Sequence, residues 1–187
     1  MRRSLAVFCL LLASPLAGCA TRATAPAELF ATAAEAPYQV DAGDRLRIIV
    51  FGQDSLSNSY TVDASGHISM PLIGQVAVRG QTPAQIQRNV ESRLRAGFLR
   101  DPKVSCEVEA YRPFFILGEV NAAGQYPYVN GMTVQTAVAI AGGYTPRAQQ
   151  SSATLTRTLD GQPYVGEVSV GQPVRPGDTI KIRERFF

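Results

Sequence analysis

Helical patterns beyond residue 37 are confined to two segments, and strand-like patterns surround both of them. The first helix is predicted to start at Thr82, with Pro83 in its first turn. Its apolar face repeats every fourth residue, at Ile86, Val90 and Leu94. The second helix is predicted to start at Thr133 and to end at the glycine pair 142–143. Because helices and strands do not alternate regularly, a wound parallel sheet is excluded and the sequence predicts an α+β fold.

Short runs with strand character make up most of the remaining sequence. A dense run of β-branched and apolar residues covers 45–51, and polar and apolar residues alternate over 103–112. Between them, the stretches 60–63 and 67–74 flank Gly66 and are predicted to form a hairpin with each other. Later strands are predicted near 114–120, 152–157, 163–170 and 178–183.

These elements divide the ordered chain into two predicted units. The first, residues 38–112, contains strands, a hairpin and one helix, and the second covers residues 113–187. One pattern, V-x-x-G-D-x-[LI]-x-I, occurs in both units, at 40–48 and at 174–182. Glycine permits open backbone dihedrals and aspartate bonds nearby amides, so the pattern predicts two equivalent turns that lead into strands. It is not a catalytic signature.

The first 18 residues have the layout of a secretory signal peptide, with two arginines, an apolar run and then small residues. The apolar run ends after about ten residues, whereas a membrane span needs roughly 20. Residues 16–19, Leu-Ala-Gly-Cys, resemble the lipobox of bacterial lipoproteins, which predicts cleavage between Gly18 and Cys19 and lipid attachment to Cys19. A plain signal peptide with a chance cysteine is the alternative. Residues 19–37 are predicted to be the lipidated N-terminus and a flexible tether, with a short helix from Glu28 to Glu35 as the alternative for part of it.

Composition limits the possible partners and the redox chemistry. Loss of the leader with Arg2 and Arg3 lowers the basic count from 18 to 16 against 15 acids, a net charge of +1. Without a basic cluster, no nucleic-acid partner is predicted. After loss of Cys9 and lipidation of Cys19, Cys106 is the remaining thiol, and its inward position in an alternating strand predicts a buried apolar role.

Residues that could perform chemistry are few. His67 is the single histidine, and no residue with ligand or triad spacing accompanies it. Asp41, Asp44 and Asp63 would bind a cation only if the fold brought them together, and aspartates in turns usually bond the backbone. Zinc, nucleotide and nucleophile motifs are absent. The sequence therefore predicts no enzyme, no catalytic residue, no metal and no cofactor.

Several stretches resemble a known protein family. YQVDAGDRLRIIVFG, YTVDASGHISMPLIGQVAVRGQTPAQIQRNVESRL and DPKVSCEVEAYR are similar to the export domain of Wza-type outer-membrane polysaccharide export lipoproteins. FFILGEVNAAGQYPYVNGMTVQTAVAIAGGYTPRA and VRPGDTIKI resemble the β-grasp module called SLBB that follows this domain in the family. The resemblance implies an export domain over 38–112 and an SLBB-like β-grasp domain over 113–187.

The resemblance also implies a function and partners. Members of the family form multimeric rings in the periplasm and pass capsular polysaccharide or exopolysaccharide toward the cell surface, without catalytic residues. For this chain we therefore expect a homo-oligomeric ring, held by lipid at the periplasmic face of the outer membrane, with polysaccharide as cargo. The residues that contact the polymer are not predicted.

The chain departs from the best-known members at its C-terminus. Those members continue into an amphipathic helix that helps to form a pore, whereas only five residues follow the last matched strand here. The resemblance is thus to short members, which implies a separate outer-membrane β-barrel partner and an inner-membrane polysaccharide co-polymerase. Phe186 and Phe187 are expected either to insert into a neighbouring subunit or to pack on their own core. The alternative function is a monomeric lipoprotein that binds or senses glycans.

The lipobox leads to a first testable prediction. Cys19→Ser should release the protein from the membrane fraction or block its maturation, because the thiol that receives the lipid is lost. Fractionation and mass measurement of the N-terminus check this prediction, with Cys106→Ser as the control that should leave attachment intact. Unchanged processing and membrane retention of Cys19→Ser would contradict it.

Overall fold

The structure is a computed structural model that describes residues 23–185. The predicted leader, the cleavage site at Gly18, the lipidated Cys19 and the terminal Phe186 and Phe187 lie outside the described residues. The helices are α1 (Ala27–Glu35), α2 (Pro83–Arg95) and α3 (Val134–Ile140). The strands are β1 (Ala23–Thr24), β2 (Arg45–Val50), β3 (Asn58–Thr61), β4 (His67–Met70), β5 (Gly74–Ala77), β6 (Val104–Ala110), β7 (Phe114–Gly118), β8 (Gly124–Tyr126), β9 (Ser152–Leu159), β10 (Gln162–Ser169) and β11 (Thr179–Ile182).

The predicted α+β class is confirmed, and the described residues contain two separate hydrophobic cores. The first core lies between a three-stranded sheet, in the order β3-β2-β6, the two-stranded hairpin β4-β5 and helix α2. The second lies under a six-stranded sheet in the order β1-β10-β9-β11-β7-β8. The largest side chains buried in the first core are Leu46, Ile48, Leu56, Ile68, Ile86 and Leu94, and those in the second are Phe30, Phe114, Ile116, Leu155, Ile180 and Ile182.

Helix α2 forms as predicted because both its start and its apolar face are encoded locally. The Thr82 hydroxyl accepts a hydrogen bond from the Gln85 amide, and the Gln85 side chain accepts one from the Thr82 amide. The predicted face of Ile86, Val90 and Leu94 is completely buried. Helix α3 begins with the same reciprocal arrangement between Thr133 and Thr136.

The predicted hairpin between residues 60–63 and 67–74 is wrong in its pairing. Strand β3 pairs with β2, whereas β4 pairs with β5. The turn itself closes around Gly66, whose φ is +85°, and the Asp63 amide donates to the carbonyl of His67. The two strands separate beyond this single contact because each has a partner on its other edge.

The segment predicted to be a tether is structured from Ala23 onward. Strand β1 extends the six-stranded sheet in parallel with β10, and α1 buries Phe30 completely in the second core. The Arg157 side chain donates to the carbonyl of Phe30 at 2.8 Å. The chain therefore begins its described part in the second unit, passes through the first unit and then returns.

Cys106 is buried, as predicted. Its side chain lies in the first core, and its thiol is free. Burial raises the pKa of the Cys106 thiol to about 11, with a smaller contribution from the negative charge of Glu107. The thiol is therefore protonated at neutral pH and serves as an apolar side chain.

Gly166 on β10 leads to a second prediction. A Cβ at this position would lie 2.5 Å from the carbonyl oxygen of Ala25 and 2.6 Å from the ring of Phe30. Gly166→Ala should therefore displace β1 and α1, lower the free energy of unfolding by roughly 1–3 kcal/mol and speed proteolysis within residues 23–36. Gly171→Ala is the matched control, because its Cβ would meet only the Ser169 hydroxyl at 3.9 Å. Equal proteolysis of the two variants would contradict this account.

Candidate functional site

The first Gly-Asp turn ends in a carboxylate that is completely buried. One oxygen of Asp44 accepts hydrogen bonds from the Asp41 amide at 2.8 Å and from the Tyr38 hydroxyl at 2.5 Å. The other accepts from the Arg112 amide at 2.8 Å. Burial and then the bond to Asp44 raise the pKa of the Tyr38 phenol above its ordinary value, so that the phenol keeps its proton and donates it.

The second Gly-Asp turn repeats this arrangement. Asp178 is 1% exposed, and its carboxylate accepts from the Arg175 amide at 2.7 Å. Arg157, itself 3% exposed, donates to both carboxylate oxygens, at 3.0 and 2.7 Å. These two parallel hydrogen bonds compensate the buried positive charge of Arg157 and the buried negative charge of Asp178.

The two turns are equivalent strand starts, as the repeated pattern predicts. Strand β2 begins directly after Asp44, and β11 begins directly after Asp178. The glycines before the aspartates have φ values of +90° and +84°, which an L side chain rarely adopts. Each aspartate amide also donates to the carbonyl three residues earlier. Both aspartates therefore serve the backbone.

The connection between the two units, Arg112–Pro113, lies between these turns. The Arg112 amide donates to Asp44, and the Pro113 carbonyl accepts from the Gly177 amide at 3.0 Å. A Cβ on Gly177 would lie 2.7 Å from Nε of Arg112, so the arginine side chain packs directly on the second turn. The connection is thus bonded to both units rather than free to bend.

Aromatic rings also pack at the connection Arg112–Pro113, which we call the junction. Tyr38 and Tyr111 meet edge to face at 4.8 Å between ring centroids, and Tyr111 meets Tyr128 in the same manner at 5.4 Å. Tyr38 belongs to the first unit and Tyr128 to the second. These edge-to-face contacts therefore cross the boundary between the two units.

His67 is the first residue of β4, directly after the turn, and lies beside a carboxylate and a hydroxyl. Asp63 accepts hydrogen bonds from the Ser65 hydroxyl at 2.6 Å and from the His67 amide at 2.9 Å, while Nδ1 of His67 lies 2.9 Å from the Ser65 hydroxyl. The hydroxyl stands between the carboxylate and the imidazole, whereas a catalytic triad needs the imidazole in the middle. The bond from Ser65 lowers the pKa of the Asp63 carboxyl, which supports a structural role in the turn.

The aspartates considered as cation ligands do not form a site. Asp41 and Asp44 share one turn, and Asp41 pairs with Arg79 at 2.9 Å. Within residues 23–185, no three His, Cys, Asp or Glu side chains come together in a way that could hold a metal ion.

An open groove of about 410 Å³ lies between β3 and β4, where the two strands separate. It is lined mainly by hydroxyl and amide side chains: Ser55, Asn58, Ser59, Tyr60, Thr61, Asp63, His67, Ser69 and Pro71. In the described part of the chain, the hydroxyls of Ser55, Thr61 and Ser69 have no hydrogen-bond partner. Such a surface offers weak hydrogen-bonding contacts to a polar ligand. Sequence reasoning missed it, although alternate polar positions along β3 were a signal.

No helix among the described residues combines the length and apolar character needed to cross a bilayer.

Comparison with known proteins identifies both units. Residues 32–109 match the family of polysaccharide biosynthesis/export proteins, and residues 113–168 match the SLBB domain. The exopolysaccharide production protein ExoF of Rhizobium meliloti (strain 1021) is 32% identical over 146 residues, which cover 70% of this chain and 35% of ExoF. The capsule polysaccharide export outer membrane protein CtrA of Neisseria meningitidis serogroup B is 30% identical over 98 residues, 51% of this chain and 25% of CtrA. The chain thus matches about a third of the length of ExoF and a quarter of the length of CtrA.

An export domain joined directly to an SLBB module defines a class of transport proteins rather than enzymes. Both units therefore carry the domains that the resemblance to the Wza-type polysaccharide export family predicted, and this match confirms the resemblance. The prediction that the chain is not an enzyme is confirmed by the same matches.

The junction leads to a third prediction. The Arg112 guanidinium lies 3.2 Å from the buried carboxylate of Asp44. Arg112→Ala should remove this cation and lower the free energy of unfolding by about 2 kcal/mol. It should also loosen the contact between the two units, so that we expect calorimetry to resolve two transitions for the variant and one for the native protein. Arg88→Ala, an exposed arginine on α2, is the control and should change stability by less than about 0.5 kcal/mol. A single transition with the stability of the control would contradict this role.

Proposed function

We propose that this chain is an outer-membrane-anchored, periplasmic component of a capsular or exopolysaccharide export channel. Copies of it form a multimeric ring, and the ring passes polymer toward the cell surface together with a separate outer-membrane partner. The observation that carries the proposal is the order of the two matched units, export domain then SLBB module, over residues 32–168.

The internal construction of the chain supports a passage rather than a reactive site. The two carboxylates that the described part of the chain buries, Asp44 and Asp178, are fully engaged in holding turns. The groove between β3 and β4 offers hydroxyl groups at an open surface, where contacts with a hydrated polymer are weak. Weak contacts suit transport, because tight binding would stop the polymer from moving.

The envelope location draws support from two sources. CtrA is named as an outer membrane protein, and the lipobox at residues 16–19 provides a means of attachment. The proposal also includes periplasmic exposure, the lipid on Cys19, an outer-membrane β-barrel partner and an inner-membrane co-polymerase. It takes the domain limits to be 38–112 and 113–187.

A monomeric glycan-binding or glycan-sensing lipoprotein is the second candidate. The same hydroxyl-lined groove favours it, since a groove on one copy is sufficient for binding without transport. The two candidates differ in what happens to the polymer when the chain is absent.

Deletion of the gene provides the fourth prediction. Surface polymer should be lost while polymer accumulates in the periplasm, because synthesis continues without an exit. Immunolabelling of intact and permeabilised cells measures both quantities. Expression of the wild-type chain should restore export, and His67→Ala should restore it equally because export needs no catalytic step from the imidazole. Normal surface polymer in the deletion strain would contradict the proposed function, and loss of polymer synthesis without accumulation would favour sensing.

A further inference from the structure

Three large apolar side chains are exposed at one end of the first unit. Phe51 is 65% exposed, Leu72 is 55% exposed and Phe98 is 52% exposed. We call these three residues the apolar tip. Each belongs to a different connection: Phe51 follows β2, Leu72 lies between β4 and β5, and Phe98 follows α2.

The strand and helix contacts place these connections at the same end. The Phe51 amide donates to the carbonyl of Lys103, just after the segment that contains Phe98. The Arg93 side chain, in the last turn of α2, donates to the carbonyl of Gln75 just after the turn that contains Leu72. The opposite end of β2 begins at Arg45, next to the junction with the second unit. The apolar tip therefore lies about 20 Å from the junction, the length of six residues in a strand.

The exposure of Leu72 is maintained at a cost to the backbone. Its φ is +68°, in the left-handed region that leucine rarely adopts, which costs of order 1 kcal/mol or more. A strained, exposed leucine at the same end of the unit as two exposed phenylalanines indicates an interaction surface, because proteins rarely expose several large apolar side chains in one region.

The charged residues around the apolar tip have opposite signs on its two sides. Arg95 and Arg100 are exposed near the end of α2, which packs on β6. Asp54 is exposed beside β3, at the other edge of the three-stranded sheet. In the part of the chain that the structure describes, none of these three side chains makes a hydrogen bond or ion pair. The remaining pair, Lys103 and Asp101, is internally matched at 3.2 Å.

Opposite unpaired charges on opposite sides of one apolar patch suit a head-to-tail contact between identical copies. The Phe98 side of one copy, with Arg95 and Arg100, then meets the Phe51 side of the next, with Asp54. Because these two sides differ, the contact is heterologous, and its repetition forms a ring when the rotation between copies closes. A bilayer is a poorer occupant, since the carboxylates of Asp54 and Asp101 would move toward lipid with the phenylalanines.

We propose that the apolar tip is a contact surface between neighbouring copies of this chain, with Arg95 and Arg100 of one copy facing Asp54 of the next. The inference rests on the ring in the proposed function and assigns part of its interface. It gives Phe51, Leu72 and Phe98 a role as the apolar centre of that interface, with the charges at its rim.

Photo-crosslinking in cells that carry the full-length chain tests this assignment as the fifth prediction. A photoreactive amino acid in place of Phe98 should yield multimers of this chain, and peptide mapping should place the second attachment within residues 51–57 of another copy. The same replacement of Val129, which is 60% exposed in the second unit, is the control for non-specific capture. Adducts to another protein, adducts to lipid or only monomer at Phe98 would overturn the proposal.

Charge reversal provides an independent readout. Asp54→Arg alone and the pair Arg95→Asp and Arg100→Asp should each lower the yield of detergent-extracted multimers about tenfold, a loss of about 1.4 kcal/mol. All three changes in one chain should restore the yield, because the contact is then matched again with reversed signs. The assignment would be overturned if the triple variant still gave a low yield of multimers. It would also be overturned if neither Asp54→Arg nor the double arginine variant lowered that yield. Intact multimers and export despite reversal would reject this surface but leave the proposed function standing, which the deletion strain tests separately.

Discussion

The rest of the structure depends on how the connection Arg112–Pro113 is held between two buried carboxylates. Asp44 bonds the amide of Arg112, and the turn that contains Asp178 bonds the carbonyl of Pro113. An unpaired carboxylate in such a site would be costly, so each turn persists only while its arginine and amide partners are in place. The same bonds that start β2 and β11 therefore also fix the short path between the two units. For a protein proposed to line a passage, this gives each copy a defined shape.

The path of the N-terminal segment strengthens this construction. Residues 23–36 contribute a strand and a helix to the second unit before the chain enters the first. Arg157 links Asp178 to the carbonyl of Phe30, so the N-terminal helix and the second Gly-Asp turn share one cation. Arg175 continues the link to the carbonyls of Ala33 and Ala36. The two units are thus joined by two chain crossings rather than by one linker.

Sequence reasoning succeeded where a structure depends on neighbours in the chain. The capping residues of α2, its four-residue apolar repeat and the two Gly-Asp turns all act within a few residues. It failed for the hairpin at Gly66, because the turn forms locally while strand pairing depends on β2 and β5. It left a short helix open for the segment before Tyr38 but did not place that segment in the second unit, because its Ala-, Thr- and Pro-rich composition has no apolar stripe. There a single side chain, Phe30, is buried by the space that Gly166 leaves in a distant strand.

For the candidate site too, some features follow from the local sequence and others only from the tertiary structure. By itself, the sequence determined the α+β class, the paired turns, the lack of a catalytic constellation and the family resemblance, because each depends on residue types at short spacings. Only the tertiary structure decided that Arg112 and Arg157 complete the two turns, that β3 and β4 separate to open a groove, and that Phe51, Leu72 and Phe98 stay exposed. In the sequence, Phe98 and Phe114 are equally apolar. Their different burial depends on which distant strands and helices cover them, and that is a property of the folded chain.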